Sequence, residues 1–289
     1  MKKLLLTTII AFAFSCVSAS AAMVMLDYIG ETHVTSNNIE RTLIATSDDG
    51  KAYNIAIRPL DEAITNSDGT VSIPLEYLFI NNTKEDVYLK YNEYSNIFWD
   101  TTLDVAPRNM TAKIKDYGVV PAGVYSITLE VQAIDIETQD VATTSSFSLQ
   151  FIVPTFHELN TYSAAPEIKV SAKDAFTKNV KIKNEVSPMI YIRSNTDWVL
   201  SVDTTDFAEA EGKFYIKTES ASGKVTSRLL ERALITPDTP EIIIARGIAP
   251  AENEFVSVEF SMENPDGGYI PAGDYNYKVK YILREGRDK

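Results

Sequence analysis

Cysteine is almost missing from this chain: 289 residues contain one, Cys16, and histidine occurs twice, as His33 and His157. A single cysteine excludes a disulfide framework and a cysteine-based structural zinc site. Neither histidine lies in a G-x-S-x-G or H-E-x-x-H pattern, which leaves little room for histidine-dependent catalysis. Basic residues are also scarce, 27 Lys+Arg against 40 Asp+Glu, for a formal net charge of −13. A field of that sign repels phosphate and disfavours nucleic acid and anionic membrane surfaces as partners. Beyond the N-terminus no apolar run approaches the ~20 residues of a membrane span. Yet 45% of the residues are hydrophobic. That is too many for a disordered chain, and the length suits two ordinary domains.

Residues 1–22 have the three parts of an export signal. Met1-Lys2-Lys3 is positive, Leu4 to Phe14 is apolar, and Ser18-Ala19-Ser20-Ala21-Ala22 offers small residues. Ala19-Ser20-Ala21 fits the A-x-A pattern and places cleavage after Ala21 or Ala22. Cys16 falls inside this segment. Cleavage by the usual peptidase leaves a mature chain with no cysteine, whereas a lipoprotein would carry Cys16 as its lipidated first residue. Ser15 suits a lipobox and Ala13-Phe14 suits it less well. Loss of Lys2 and Lys3 leaves 25 basic residues against 40 acidic ones, a net charge of −15. The expectation is an exported protein, periplasmic, at the cell surface or extracellular, with no transmembrane segment in the mature chain.

From Val24 onward period-two alternation dominates, the pattern of antiparallel strands with one buried face. It runs through Tyr125, Ile127, Leu129 and Val131. It recurs in Phe147–Val153, in Val256–Met262 and in Tyr275–Leu283. Asp49-Gly50, Asp68-Gly69 and Asp266-Gly267 supply hairpin-type turns, because glycine accepts the positive φ they require. Val225 to Ile235 is the best helical candidate. A repeat of the form D-x-G-x-x-P-A-G-x-Y links Asp116–Tyr125 to Asp266–Tyr275 at an offset of 150 residues. Each copy turns the chain at Pro and Gly and opens a strand with Tyr. Tyr53–Ile57 matches Trp198–Val202 more loosely, and Gly69–Ile73 matches Gly212–Ile216. These features predict an all-β protein of two tandem antiparallel β-sandwich domains, residues 23–153 and 167–289, joined by a linker over 154–166.

The stretch Ile192-Arg193-Ser194-Asn195-Thr196-Asp197-Trp198-Val199-Leu200-Ser201-Val202, with a terminal P-A-G-x-Y strand, resembles secreted bacterial Ig-like sandwich domains of surface, adhesin and pilin-type proteins. The resemblance covers most of the second half and, through the repeat, the first half loosely. It implies Ig-like sandwiches and a structural or adhesive role, and it brings no catalytic residues. Many chaperone-assembled pilins hold a disulfide and one incomplete sandwich; this chain has no mature cysteine and two copies.

Tyr88, Tyr91, Tyr94, Phe98 and Trp99 form the densest aromatic group, mixed with Asn92, Glu93 and Asn96. Two readings stand open, a stacking platform for sugar or a partner protein, and a core or interdomain cluster. Asp48-Asp49-Gly50 and Asn66-Ser67-Asp68-Gly69 place hard oxygen ligands at turns, as calcium prefers. Neither has an EF-hand spacing, and hairpin turns account for both more simply, so no metal or cofactor is assigned. Most of the 40 acids are expected on solvated faces. Open sheet edges offer pairing to another chain by β-augmentation. Lys278, Lys280 and Arg284 on the last strand read either as guards against such pairing or as a patch for an acidic neighbour. The function expected is a non-enzymatic structural or binding protein of the envelope or cell surface, adhesin- or fimbria-like. Its partners would be other envelope proteins or glycans. The alternative is a periplasmic chaperone-like protein or a carbohydrate-binding module.

Overall fold

A computed structural model describes residues 24–35, 38–49, 51–98, 108–162, 166–177, 181–205, 212–264 and 268–286. The export signal read over 1–22, with Cys16, lies outside them. The fold is all-β, and every strand pair among the described residues is antiparallel. The chain divides into two units, Met1–Gly118 with Gly123–Val153, and Val119–Ala122 with Pro154–Lys289.

The first unit holds β1 (Val24–Val34), β2 (Asn38–Ser47), β3 (Tyr53–Pro59), β4 (Ala63–Asn66), β5 (Ser72–Pro74) and β6 (Leu78–Asn81). It continues with β7 (Asp86–Tyr88), β8 (Ser95–Phe98), β9 (Arg108–Lys115), β10 (Gly123–Asp135) and β11 (Val141–Val153). One sheet runs β1-β2-β9-β6-β7 and the other β5-β4-β10-β3-β8, with β11 paired to β10. In β10 the predicted alternation is realised: Tyr125, Ile127, Leu129, Val131 and Ala133 are buried, and the residues between them are half-exposed. Met110, Ala112 and Ile114 do the same from β9. Each of the larger aliphatic side chains among them contributes about 1.5–3 kcal/mol by leaving water.

The second unit holds β12 (His157–Tyr162), β13 (Glu167–Val170), the one-turn helix α1 (Ala172–Ala175), β14 (Lys181–Lys183), β15 (Met189–Ser194) and β16 (Trp198–Asp203). There follow β17 (Lys213–Ala221), β18 (Val225–Arg228), β19 (Ala233–Leu234), β20 (Glu241–Gly247), β21 (Ala251–Glu263), β22 (Gly273–Asn276) and β23 (Lys280–Glu285). Sheet β12-β15-β21-β17-β19, with β14 on β21, lies across the core from sheet β18-β20-β16-β23. Their shared core joins Ile190, Ile192, Phe214, Val258 and Phe260 of the first sheet to Trp198, Leu200, Val202 and Ile244 of the second. This is the face-to-face packing of a β-sandwich. Trp198 is 1% exposed, and its ring lies over Gly247, the residue opposite it in the ladder.

The two copies of the repeat share a glycine conformation where a strand begins, and differ in the burial of the tyrosine that follows. Gly123 and Gly273 have φ of 153° and 159°, a conformation L side chains rarely adopt, and each begins a strand. Tyr275 donates its hydroxyl to the Pro271 carbonyl at 2.8 Å, the kind of bond that fixes a tyrosine at a strand corner. Tyr125 is fully buried.

Three local expectations are corrected. Val225–Ile235 is not helical. Val225–Arg228 pairs with β20 and Ala233–Leu234 with β17. The Leu229 amide donates to Ile244 at 3.0 Å, so ladder bonds outcompete a short weak periodicity. The stretch 154–166, read as linker for its poor alternation, contains β12, whose partner β15 lies some 30 residues on. The exposed residues of β12 are Glu158, Asn160, Thr161 and Tyr162, so no apolar alternation marks the strand. The strand expected over Tyr275–Leu283 is broken between Asn276 and Lys280: β22 pairs with β13, and β23 pairs with β16.

Candidate functional site

The sequence Asp86–Phe98 leaves one sheet and enters the other. β7 pairs with β6, placing Tyr88 opposite Phe79 with ring centroids 5.4 Å apart. β8 pairs with β3 in the other sheet. The aromatic group therefore straddles two sheets, and its members differ in surroundings.

Tyr88 is 61% exposed and Tyr91 49% exposed. Tyr91 sits in a tight turn closed by a bridge between Lys90 and Glu93, whose charges lie 3.9 Å apart. The turn is held from three directions. Asn92, at a φ of 57°, donates its amide to the Pro59 carbonyl at 3.0 Å. Ser95 Oγ donates to the Tyr88 carbonyl at 3.2 Å. Tyr94 donates its hydroxyl to Glu130. Arg58 completes the anchor, 2.7 Å from Glu130 and with its guanidinium carbon 4.8 Å from the centre of the Tyr94 ring. Burial, with the Glu130 hydrogen bond adding to it, pushes the Tyr94 hydroxyl up to about 12. At neutral pH it is thus a fixed donor. Phe98 is half-buried, with the Arg108 guanidinium carbon 5.2 Å from its ring centre. Trp99 lies outside the described residues. Among the described members, Tyr88 and Tyr91 offer free ring surface, and Tyr94 and Phe98 are engaged by arginines.

The other candidate chemistry is absorbed by the fold. His157 is half-buried on β12, with Nδ1 2.9 Å from Ser194 Oγ; burial holds its pKa below the ordinary value, against a smaller upward pull from Glu285. Ser194 Oγ donates to the Thr196 carbonyl at 2.6 Å, so this hydroxyl is structural. His33 is exposed on β1, opposite Glu40. Asp68 accepts from the amide and the hydroxyl of Thr70, and these bonds hold its carboxyl below the usual range. Asp49 accepts from the Lys51 amide and the Tyr53 hydroxyl. Both carboxylates close turns, and no cluster of His, Cys, Asp or Glu among the described residues is placed to hold a metal ion. Glu259 departs from the expectation of solvated acids. It lies buried on the central strand β21, paired with Lys183 and, at 3.4 Å, with Lys217. Burial pushes its carboxyl up, and the two lysines more than offset this, leaving it below the usual range.

The edges divide in the same way. The β11 edge is closed by side chains of β1: the Tyr28 hydroxyl donates to the Ser148 carbonyl at 2.6 Å and accepts from the Gln150 amide at 2.8 Å. Thr32 Oγ1 accepts from the Ile152 amide at 2.9 Å. No strand pattern in the sequence signals this, because side chains rather than a ladder satisfy the edge. On the edge strand β23, Arg284 grips Glu241 at 2.6 and 2.9 Å, while Lys280 stands opposite Asp203. Lys278, between β22 and β23, is exposed.

No helix among the described residues is long and apolar enough to cross a membrane. Compared with known protein families and with curated proteins, the chain finds no match. Among solved structures it is similar to the C-terminal domain of the Streptococcus agalactiae AgI/II polypeptide BspA, at 10% identity and a TM-score of 0.24, covering 91% of this chain and 96% of that one. A further wild-type BspA C-terminal chain gives 10% identity, 90% and 96% coverage and a TM-score of 0.23. Both values lie well below the level at which two chains share a fold.

Proposed function

We propose that the protein is an exported structural or binding component of the bacterial envelope or cell surface, adhesin- or fimbria-like, acting without bond-making chemistry. The observation that carries this reading is where the reactive side chains go. His157, Glu130, Glu241 and Glu259 are each bound into the fold, while Tyr88 and Tyr91 stand in solvent on a braced turn. The signal-like N-terminus and the acidity of the mature chain support export. The two exposed tyrosines also favour a second reading, a carbohydrate-binding module, in which the protein is a receptor rather than a building element. Fractionation of the native cells followed by crosslinking and surface proteolysis tests the proposal. Recovery in the envelope, accessible to protease or crosslinked into larger assemblies, is expected. Recovery in the cytoplasm with the N-terminus intact would refute it.

A further inference from the structure

We infer that the turn from Tyr88 to Glu93 is a binding site for a neutral glycan, with Tyr88 and Tyr91 as the stacking rings. This rests on the binding reading above and narrows it to one ligand class and two contact residues. Three features point there. First, the rings are large and exposed, 61% and 49%, with Tyr88 also resting against Phe79; they lie three residues apart on the turn, so their backbones are within roughly 11 Å, a span suited to one or two sugar rings. Second, the turn is preorganised. Bonds to Pro59, to Tyr88 and to Glu130 fix it before any ligand arrives, which removes much of the ordering cost of binding. Third, the charge balance selects the ligand. Lys90 is matched by Glu93, and Glu85, Asp86 and Lys84 lie just before. Within a chain of net charge −13, this neutral-to-acidic setting disfavours sulfated or sialylated sugars. The exposed amides of Asn92 and Asn96 can meet hydroxyls beside the rings. Tyr94 and Phe98 then act as anchors beneath the site, through Arg58 and Arg108, rather than as contacts.

The test is an array of neutral, sialylated and sulfated glycans probed with the purified protein, with the strongest hit titrated by calorimetry. Binding to neutral glycans is expected. Tyr91→Ala and Tyr88→Ala should each weaken it about tenfold or more, with the melting profile unchanged. Tyr91→Phe, which keeps the ring, should retain most of the affinity and guards against a folding artefact. An empty array, binding confined to anionic glycans, or affinity indifferent to both alanine variants would overturn the inference. Capture of a protein partner by the same turn, with no glycan bound, would overturn it as well. If the protein is found at the cell surface and the array stays empty, the inference fails alone. If glycans bind and the protein is cytoplasmic, the envelope reading fails alone.

Discussion

Gly247 is held at glycine by a neighbour rather than by its backbone, and this can be tested quantitatively. A Cβ at position 247 would fall well inside van der Waals contact with Cζ2 and Cε2 of Trp198 and would lie 2.8 Å from Nε1. The backbone there is ordinary strand, with no left-handed φ. The indole is 1% exposed in the middle of the core cluster and cannot swing aside. Gly247→Ala should therefore cost about 1–3 kcal/mol by overpacking, lowering the melting temperature of the second unit by roughly 4–12 °C. Trp198→Leu should cost about 3 kcal/mol by itself through the void it leaves. In the double variant the alanine meets no ring, and the clash disappears. Replacing glycine then stabilises by about 0.4–1 kcal/mol through the unfolded chain. The coupling between the two sites should accordingly lie between about 1.4 and 4 kcal/mol. Urea titration of the four proteins, followed by circular dichroism, measures it. Losses that simply add, within about 0.5 kcal/mol, would refute the reasoning, as would a Gly247→Ala protein as stable as the parent.

Three further outcomes follow from particular contacts. Tyr28→Phe deletes the hydroxyl that closes the β11 edge; hydrogen exchange at the Gln150 amide should speed up while Ile152, held by Thr32, stays protected, at a cost of about 1 kcal/mol. Burial keeps the folded-state pKa of His157 below the unfolded one, so between those values the unfolded chain binds more protons. Stability should then be fully present above the unfolded pKa and decline as pH falls below it toward the depressed folded value; His157→Asn should flatten that slope, and a stability that rises on acidification would contradict the assignment. The Ser201 hydrogen bond, followed by Arg284, lowers the Glu241 carboxyl. Its stabilisation is therefore present above the ordinary carboxylate range and lost as pH falls through the depressed value. Glu241→Gln should remove no more than about 1 kcal/mol at neutral pH, with its effect on melting temperature vanishing in strong acid.

The regular strands were legible because their signal is local. Tyr125, Ile127, Leu129 and Val131 alternate in the sequence and alternate in burial. The P-A-G-x-Y repeat was legible for a similar reason, since the backbone at Gly123 and Gly273 admits few other residues. Other features were hidden. β12 has no apolar alternation to announce it, and the break between β22 and β23 falls inside an alternating run because its two halves have different partners. The aromatic group was visible as a cluster, but not its division. Only strand pairing sends Tyr88 to one sheet and β8 to the other, and only the row holding Arg58 and Glu130 decides that Tyr94 is an anchor.

By itself, then, the sequence determined the all-β class, the positions of most strands and the scarcity of His and Cys chemistry. Residue type and period carry that information along the chain. The tertiary structure alone decided which edges are closed, which carboxylate is buried between lysines, and which tyrosines remain free. Those properties depend on side chains from distant strands meeting in space. Tyr28 and Ser148 are 120 residues apart when they seal an edge, and no local pattern encodes a meeting at that distance.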